Sequence, residues 1–340
     1  MNKIFGIVLI MSLAGMHARA QPVERYLEIK PHVHKKKDPD YIKVRNSLYN
    51  KISFLDSRED TSMIGTAGVG LLNKQAMIKL RMPFLMQIRN LLDSLTDSTA
   101  ANGELLFQLR DFRFAEETGT RYCYLNAGLY CKFNEGYGLL SILDTVIIVQ
   151  GPDVLNRLQL GGSSILTDFL ASELTRTPEG PALCTMQDII NYDSIEKSKI
   201  PAFTVTQFVD GLYYSYTAFK NQQPDLQGFT ISEKEGRVSK VLVYEANGKK
   251  VRVKPKNLYA FVFKGRAYIA TEFGYYPLEK LSGNLFFTGD VRIPPSAGDK
   301  AMSQFSLGLL GLALASAGYQ TTYQMIIDPV NGNPVHLFSL

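Results

Sequence analysis

"RYCYLNAGLYCKF", Arg121 to Phe133, alternates between two kinds of side chain. Cys123, Leu125, Ala127, Leu129, Cys131 and Phe133 fall on one parity; Tyr122, Tyr124, Asn126, Tyr130 and Lys132 fall on the other. A period of two marks a β-strand with one face turned to a core. Two further strand candidates flank it, "ELLFQLRDFRF" (104–114) and "LLSILDTVIIVQG" (139–151), with short polar or glycine-bearing turns between the three. Three strands joined in this way predict an antiparallel meander.

Helical periodicity brackets the meander. In "PFLMQIRNLLDSLTD" (83–97), Phe84, Leu85, Ile88, Leu91, Leu92 and Leu95 recur at helical spacing, and Pro83 suits a first turn. In "SSILTDFLASELT" (163–175), a helix around Ser164 to Thr175 collects Ile165, Leu166, Phe169, Leu170 and Leu174 on one side. The order helix, three strands, helix predicts an α+β fold: an antiparallel sheet with helices on one face. The breaker-rich "TRTPEGP" (175–181) then divides the chain into an α+β domain at 41–177, a linker at 178–184 and a β-rich domain at 185–340.

In the second half, "TMQDIINYDSIEKSKIP" (185–201) predicts a short helix capped by Thr185. Beyond it Asn247-Gly248 and Lys264-Gly265 stand between alternating apolar runs, a strong hairpin signal, so this half reads as a β-meander. The run "DGLYYSYTAFKNQQP" followed by "YAFVFKGRAYI" and "YYPLEKLSGNLFF", roughly Ile200 to Phe287, resembles a group of uncharacterised exported proteins of Bacteroidota-type bacteria. The resemblance implies a location and a β-meander, and it implies no catalytic residue.

The leader "MNKIFGIVLIMSLAGMHARA" (1–20) agrees with export. Lys3 supplies the basic start, Ile4 to Gly15 the apolar run, and Ala18-Arg19-Ala20 the small-x-small cleavage pattern. Cleavage before Gln21 leaves an N-terminal arm at 21–40 and a mature protein for the periplasm, cell surface or extracellular space. The chain has 340 residues, 45% hydrophobic and 20% charged, enough for two cores. Its formal charge is +5, of which Lys3 and Arg19 leave with the leader. The remaining excess is too small to argue for nucleic acid. There are three cysteines. Cys123 and Cys131, roughly 26 Å apart along one strand, cannot bond each other, whereas Cys184 can pair with either or all three can be buried thiols.

Candidate chemistry is sparse. His32 and His34, with Asp38 or Asp40, are spaced as metal ligands, but Lys35, Lys36 and Lys37 beside them repel a cation, so no metal and no cofactor is expected. Gly65, Gly68 and Gly70 lack the Lys-Ser/Thr of a phosphate loop and are expected to form a tight turn or bulge, and Ser163 and Ser164 lack the frame of a nucleophile elbow. Cys131 sits on an apolar strand face, where a thiol is inert. Asp153 with Asp168, or Asp188 with Asp193, could pair for acid–base hydrolysis, though catalytic residues remain unknown on this reading. Tyr213, Tyr214, Tyr216, Tyr259, Tyr268, Tyr275 and Tyr276 offer the one site-like cluster, suited to a glycan or a protein surface, and equally to sheet packing.

"FSLGLLGLALASAG" (305–318) is apolar on all sides. At ~21 Å as a helix it falls short of a ~30 Å hydrocarbon core, and a span here would leave a tail without Lys or Arg inside. It is expected to be a helix covered by the core or by a partner. The tail "YQMIIDPVNGNPVHLF" (323–338) reads as two short strands that finish a sheet. Together these readings favour an exported, non-enzymatic accessory or interaction protein of the cell envelope with a protein partner; the alternatives are an envelope hydrolase and a glycan-binding protein.

Overall fold

The computed structural model describes residues 23–31, 43–58, 61, 64–69, 74–117, 120–150, 154–179, 183–290 and 323–336. The leader, the His32–His34 segment, Gly70, Asp153 and the 305–318 run lie outside them. The chain is a mixed α+β structure, as its periodicity predicts, with the three long strands at its centre.

Those strands are β5 (Gly103–Glu117), β6 (Thr120–Phe133) and β7 (Gly136–Gln150), paired antiparallel in sequence order. The sheet is extended by four shorter strands, β1 (Val23–Leu27), β2 (Tyr49–Asp56), β3 (Gly65–Val69) and β4 (Lys74–Leu80). Here the sheet departs from a purely antiparallel one, because β1 runs parallel to β4, and both β2 and β3 run parallel to β5. Where the glycine spacing predicts a tight turn or bulge, Gly65 and Gly68 lie in strand β3: Gly65 opens it against the backbone of Phe114, where an added Cβ would stand 2.5 Å from the carbonyl oxygen, so its role is close approach.

Helices α1 (Phe84–Leu95) and α2 (Val154–Glu173) cover one face. Ile88, Leu91, Leu92 and Leu95 of α1 and Leu158, Leu166, Phe169 and Leu170 of α2 share a core with Phe107, Leu125, Ala127, Leu129 and Cys131. Phe133, at the strand end, is 47% exposed and is the one member of the predicted face that escapes it. A bulge between Leu109 and Asp111 decides which β5 residues enter this core. Strict alternation would send Asp111 and Arg113 in after Leu105, Phe107 and Leu109. The extra residue shifts the parity so that Phe112 and Phe114 enter instead.

The second half covers the other face. A capping box between Thr185 and Asp188 starts α3 (Met186–Ile190), and α4 (Tyr192–Ser198) and α5 (Pro201–Thr204) follow. After β8 (Gly211–Tyr213) and α6 (Tyr216–Lys220) come β9 (Phe229–Lys234), β10 (Arg237–Tyr244), β11 (Lys250–Val253), β12 (Ala260–Phe263), β13 (Arg266–Thr271), β14 (Gly274–Leu281) and β15 (Asn284–Gly289). Both predicted hairpins form, β10–β11 around Gly248 and β12–β13 around Lys264-Gly265, whose two residues both have positive φ. The tail forms β16 (Tyr323–Ile327) and β17 (Pro334–His336), which finish a seven-stranded sheet as its pattern predicts. One face of that sheet packs on Tyr122 and Tyr124 of β6, and the other carries the three-stranded sheet β9–β11.

Cys123, Cys131 and Cys184 are all free thiols. Cys123 and Cys131 lie in the core under the helices, and Cys184 packs beyond the opposite sheet face with Leu106, Tyr130 and Ile189. The sheet therefore separates Cys184 from both potential partners. Cys184 precedes the cap residue Thr185 and meets Ile189 one turn on, a hydrophobic staple that aims α3.

Candidate functional site

The chemistry-bearing side chains converge where the second half meets the outer face of β5–β7. The β5 bulge sends Asp111 and Arg113 to this face, joined at 2.8 Å. The Arg113 guanidinium lies 5.0 Å from the Tyr124 ring centroid, and the Tyr124 hydroxyl meets Nδ1 of His336 at 2.7 Å. His336 is buried, and its ring stands 4.9 Å from that of Tyr122. Beside this chain a second one forms. Arg110 donates to the Tyr130 hydroxyl at 2.8 Å and covers the ring of Tyr192 at 3.6 Å, and Tyr192 donates to Glu196 at 3.3 Å. Gln108, buried below, donates to the Ile189 carbonyl at 2.7 Å.

The turn 328–333 between β16 and β17 closes the site. Asp328 accepts from the amides of Val330 and Asn331 at 2.7 and 3.3 Å, which shapes the turn. Asn331 then reaches across to Asp144 of β7 at 2.6 Å. Tyr216 and Tyr259 hold the turn from the other side, donating to the carbonyls of Pro329 at 2.6 Å and Gly332 at 2.9 Å.

Burial raises every carboxylate of the cluster. Asp111 is pushed up to about 6 by burial in spite of Arg113. Asp328 is pushed up to about 6 by burial and then by the charge of Asp144, itself raised mainly by burial. Burial also raises Glu196 and holds Tyr130 up at about 12. Asp111 and Asp328 can therefore hold a proton near pH 6. Asp111, Asp328 and Glu196 are paired within their own halves, whereas Asp144 is held from the opposite half by Asn331; with Tyr124–His336 and Gln108–Ile189 that bond forms a latch between the halves.

This latch has a pH sign. The folded chain holds the Asp328 proton more tightly than the ordinary value of 3.8 allows, so its stabilising effect is complete below about pH 4 and is lost as pH rises through about 6. Asp328→Asn keeps an acceptor for the Val330 and Asn331 amides and removes the charge. We expect it to raise the melting temperature near neutral pH and to leave it unchanged below about pH 4. A variant that melts lower than wild type near neutral pH would show that the carboxylate charge stabilises the turn.

Apart from Tyr216 and Tyr259, the residues singled out from the sequence lie elsewhere. Asp188 is the partner of Thr185 in the α3 capping box, Asp193 lies in the first turn of α4, and Asp168 is exposed on α2. Ser163 is buried in α2, where its hydroxyl oxygen accepts the Lys30 amide at 3.1 Å. The seven tyrosines do not share a surface. Tyr213, Tyr216, Tyr259 and Tyr276 belong to the core against Tyr122 and Tyr124. Tyr268 and Tyr275 pack on Phe261 across the sheet, and Tyr214 is 45% exposed. Two of the seven, Tyr216 and Tyr259, thus reach the latch. Asp111, Asp144 and Asp328 are not among the residues that motif and spacing single out, although a carboxylate inside each of the strands "LLFQLRDFRF" and "LLSILDTVIIV" is a signal for the first two. Among the described residues no group of three or more His, Cys, Asp and Glu side chains is arranged to hold a metal ion.

No family model and no curated protein matches the chain. Two solved structures share a partial likeness. One is an uncharacterized protein at 12% identity and a TM-score of 0.24, over 38% of this chain and 96% of that one. The other is protein XCC0632 from Xanthomonas campestris, described as DUF330, at 10% identity and a TM-score of 0.28, over 45% of this chain and 92% of that one. Neither likeness carries a fold or an activity to this chain.

Proposed function

We propose that the chain is an exported, non-enzymatic interaction protein of the cell envelope, and that α3 is where it meets a protein partner. The observation that carries this reading is an apolar stripe in water. Met186 and Ile190, one turn apart on α3, are 38% and 49% exposed, and Leu183 just before the cap is 41% exposed. The helix is held in place from its other side, where Ile189 is buried with Leu106 and Tyr130, and its start is fixed by the capping box. A pre-ordered helix presenting large aliphatic side chains loses little entropy on docking, and contiguous exposed apolar surface marks interaction sites. The leader and the resemblance to exported proteins support the location. Among the described residues no helix is long and apolar enough to cross a membrane.

The test is affinity capture from envelope fractions with residues 21–340, comparing wild type with Met186→Glu/Ile190→Glu. Both side chains are exposed, so the variant should melt within about 1 °C of wild type. Wild type should retain a defined protein that the variant loses. Capture of the same protein by both, or of none by either, would overturn the reading.

A further inference from the structure

The formal charge of the chain is concentrated in one small module. Residues 229–257, the three-stranded sheet and the turn after it, hold eight Lys or Arg against three Glu, an excess of +5 that equals the formal excess of the whole chain. Without the leader's Lys3 and Arg19, the rest of the protein carries a formal charge of −2. Past a bulge between Val238 and Lys240 the alternation of β10 and β11 is regular. Val241, Val243 and Val253 turn inward onto the core that holds Phe261 and Tyr275. Lys240, Leu242 and Tyr244 of β10 and Lys250 and Arg252 of β11 therefore turn outward, with Leu242 beside Arg252 and Tyr244 beside Lys250 in the register. The four charged and aromatic residues of this set are exposed, Tyr244 by 50%.

β11 is an edge strand, and the outward row continues past it through Lys254 and Lys256. Lysines on an edge deter strand pairing, which accounts for one or two of them. It does not account for cations that extend across the sheet face to Lys240. Among the described residues, none of Lys240, Lys250, Arg252, Lys254 and Lys256 is in an ion pair. Arg252, Lys254 and Lys256 also line a hollow of about 440 Å³ with Pro255 and Glu272.

We infer that the outer face of β9–β11 docks on an anionic lipid bilayer through its phosphate headgroups. A sheet face places its cations in one plane, roughly 5 Å apart between strands and roughly 7 Å apart along one, which suits a planar array of headgroups. Around the hollow beside Arg252 three cations, Arg252, Lys254 and Lys256, stand against one carboxylate, Glu272, so its lining is net positive toward a phosphate. Tyr244 stands at the margin of this plane with the Lys250 ammonium 5.3 Å from its ring centroid, an apolar body with a polar tip of the kind that settles at a membrane interface. This surface is independent of α3, and its failure would leave the α3 reading intact.

The experiment is vesicle co-sedimentation of residues 21–340 with phosphatidylcholine alone and with phosphatidylcholine containing phosphatidylglycerol. The protein should sediment with the anionic vesicles, remain free of the neutral ones, and be released as added salt shortens the screening length. Lys250→Gln/Arg252→Gln/Lys254→Gln removes three cations near the surface, and the partition coefficient should fall about 100-fold. All three side chains are exposed, so an unchanged melting temperature shows that the variant is folded. The proposal is overturned by equal sedimentation with neutral vesicles, by none with anionic ones, or by a triple variant that still binds. Release by inorganic phosphate at constant ionic strength would instead identify a site for the free anion and overturn it as well.

Discussion

Phe107→Ala should destabilise the protein by about 3–5 kcal/mol, the largest effect expected of any single truncation here. Phe107 is fully buried at the centre of β5, where four elements meet. Its ring centroid lies 6.4 Å from Phe54 of β2, 5.9 Å from Phe84 of α1 and 6.5 Å from Phe169 of α2. Across the ladder it pairs with Leu129 of β6. Truncation removes the transfer free energy of the ring and leaves a cavity whose walls belong to separate elements. Backbone pairing holds β2 and β6 in place, so those walls cannot collapse inward. Urea denaturation followed by far-UV circular dichroism measures the loss. A shift below about 1 kcal/mol would show that the two helices do not close over this residue.

Gly332→Ala is expected to cost about 3 kcal/mol by a different route. Gly332 has φ +77, a left-handed conformation that an alanine adopts only with strain. An added Cβ would also run into the Tyr216 ring. That ring is held by its hydrogen bond to Pro329, and the Gly332 carbonyl accepts from Tyr259, so neither side can yield without breaking the latch. The consequence should extend beyond the turn, because Asn331 must stay in register to reach Asp144. Hydrogen exchange should therefore accelerate in β16 and β17 more than in α1. Gly248→Ala is the matched control: it shares a positive φ, but no atom crowds its Cβ. If the two variants lose equal stability, contact with Tyr216 contributes nothing.

Much of the fold was legible because its determinants are local. The period of two in Arg121–Phe133, the helical spacing of Phe84 to Leu95 and the turn at Lys264-Gly265 each act over a few residues, and the elements appear where those patterns put them. The capping box at Thr185 is a three-residue code of the same kind. The second helix was shorter in the sequence than in the structure. Its first turns, before Ser164, interrupt the apolar spacing with Arg157, Gln159 and Gly161-Gly162 and carry weak helical signal.

The tertiary structure decided what covers the second face of the sheet. Alternation separates Tyr122, Tyr124 and Tyr130 from the residues under the helices, but a tyrosine row is compatible with water, a ligand or another layer. The chain buries that row with a half that begins some fifty residues later, and the buried hydroxyl of Tyr124 finds its partner, His336, 212 positions away. Asn331 and Asp144 are likewise 187 positions apart. No short window of sequence contains both members of such a pair. The parallel ladders of β2 and β3 on β5 escape local reading for the same reason, since a parallel pair needs a crossover between distant segments and carries no turn of its own. By itself the sequence determined the three long strands, the buried face of β6, helix α1, the later part of α2 and the hairpins, because period and turn chemistry act through adjacent residues. The latch and its raised carboxylates arose only in the tertiary structure, because burial of a charge depends on which distant surface closes over it.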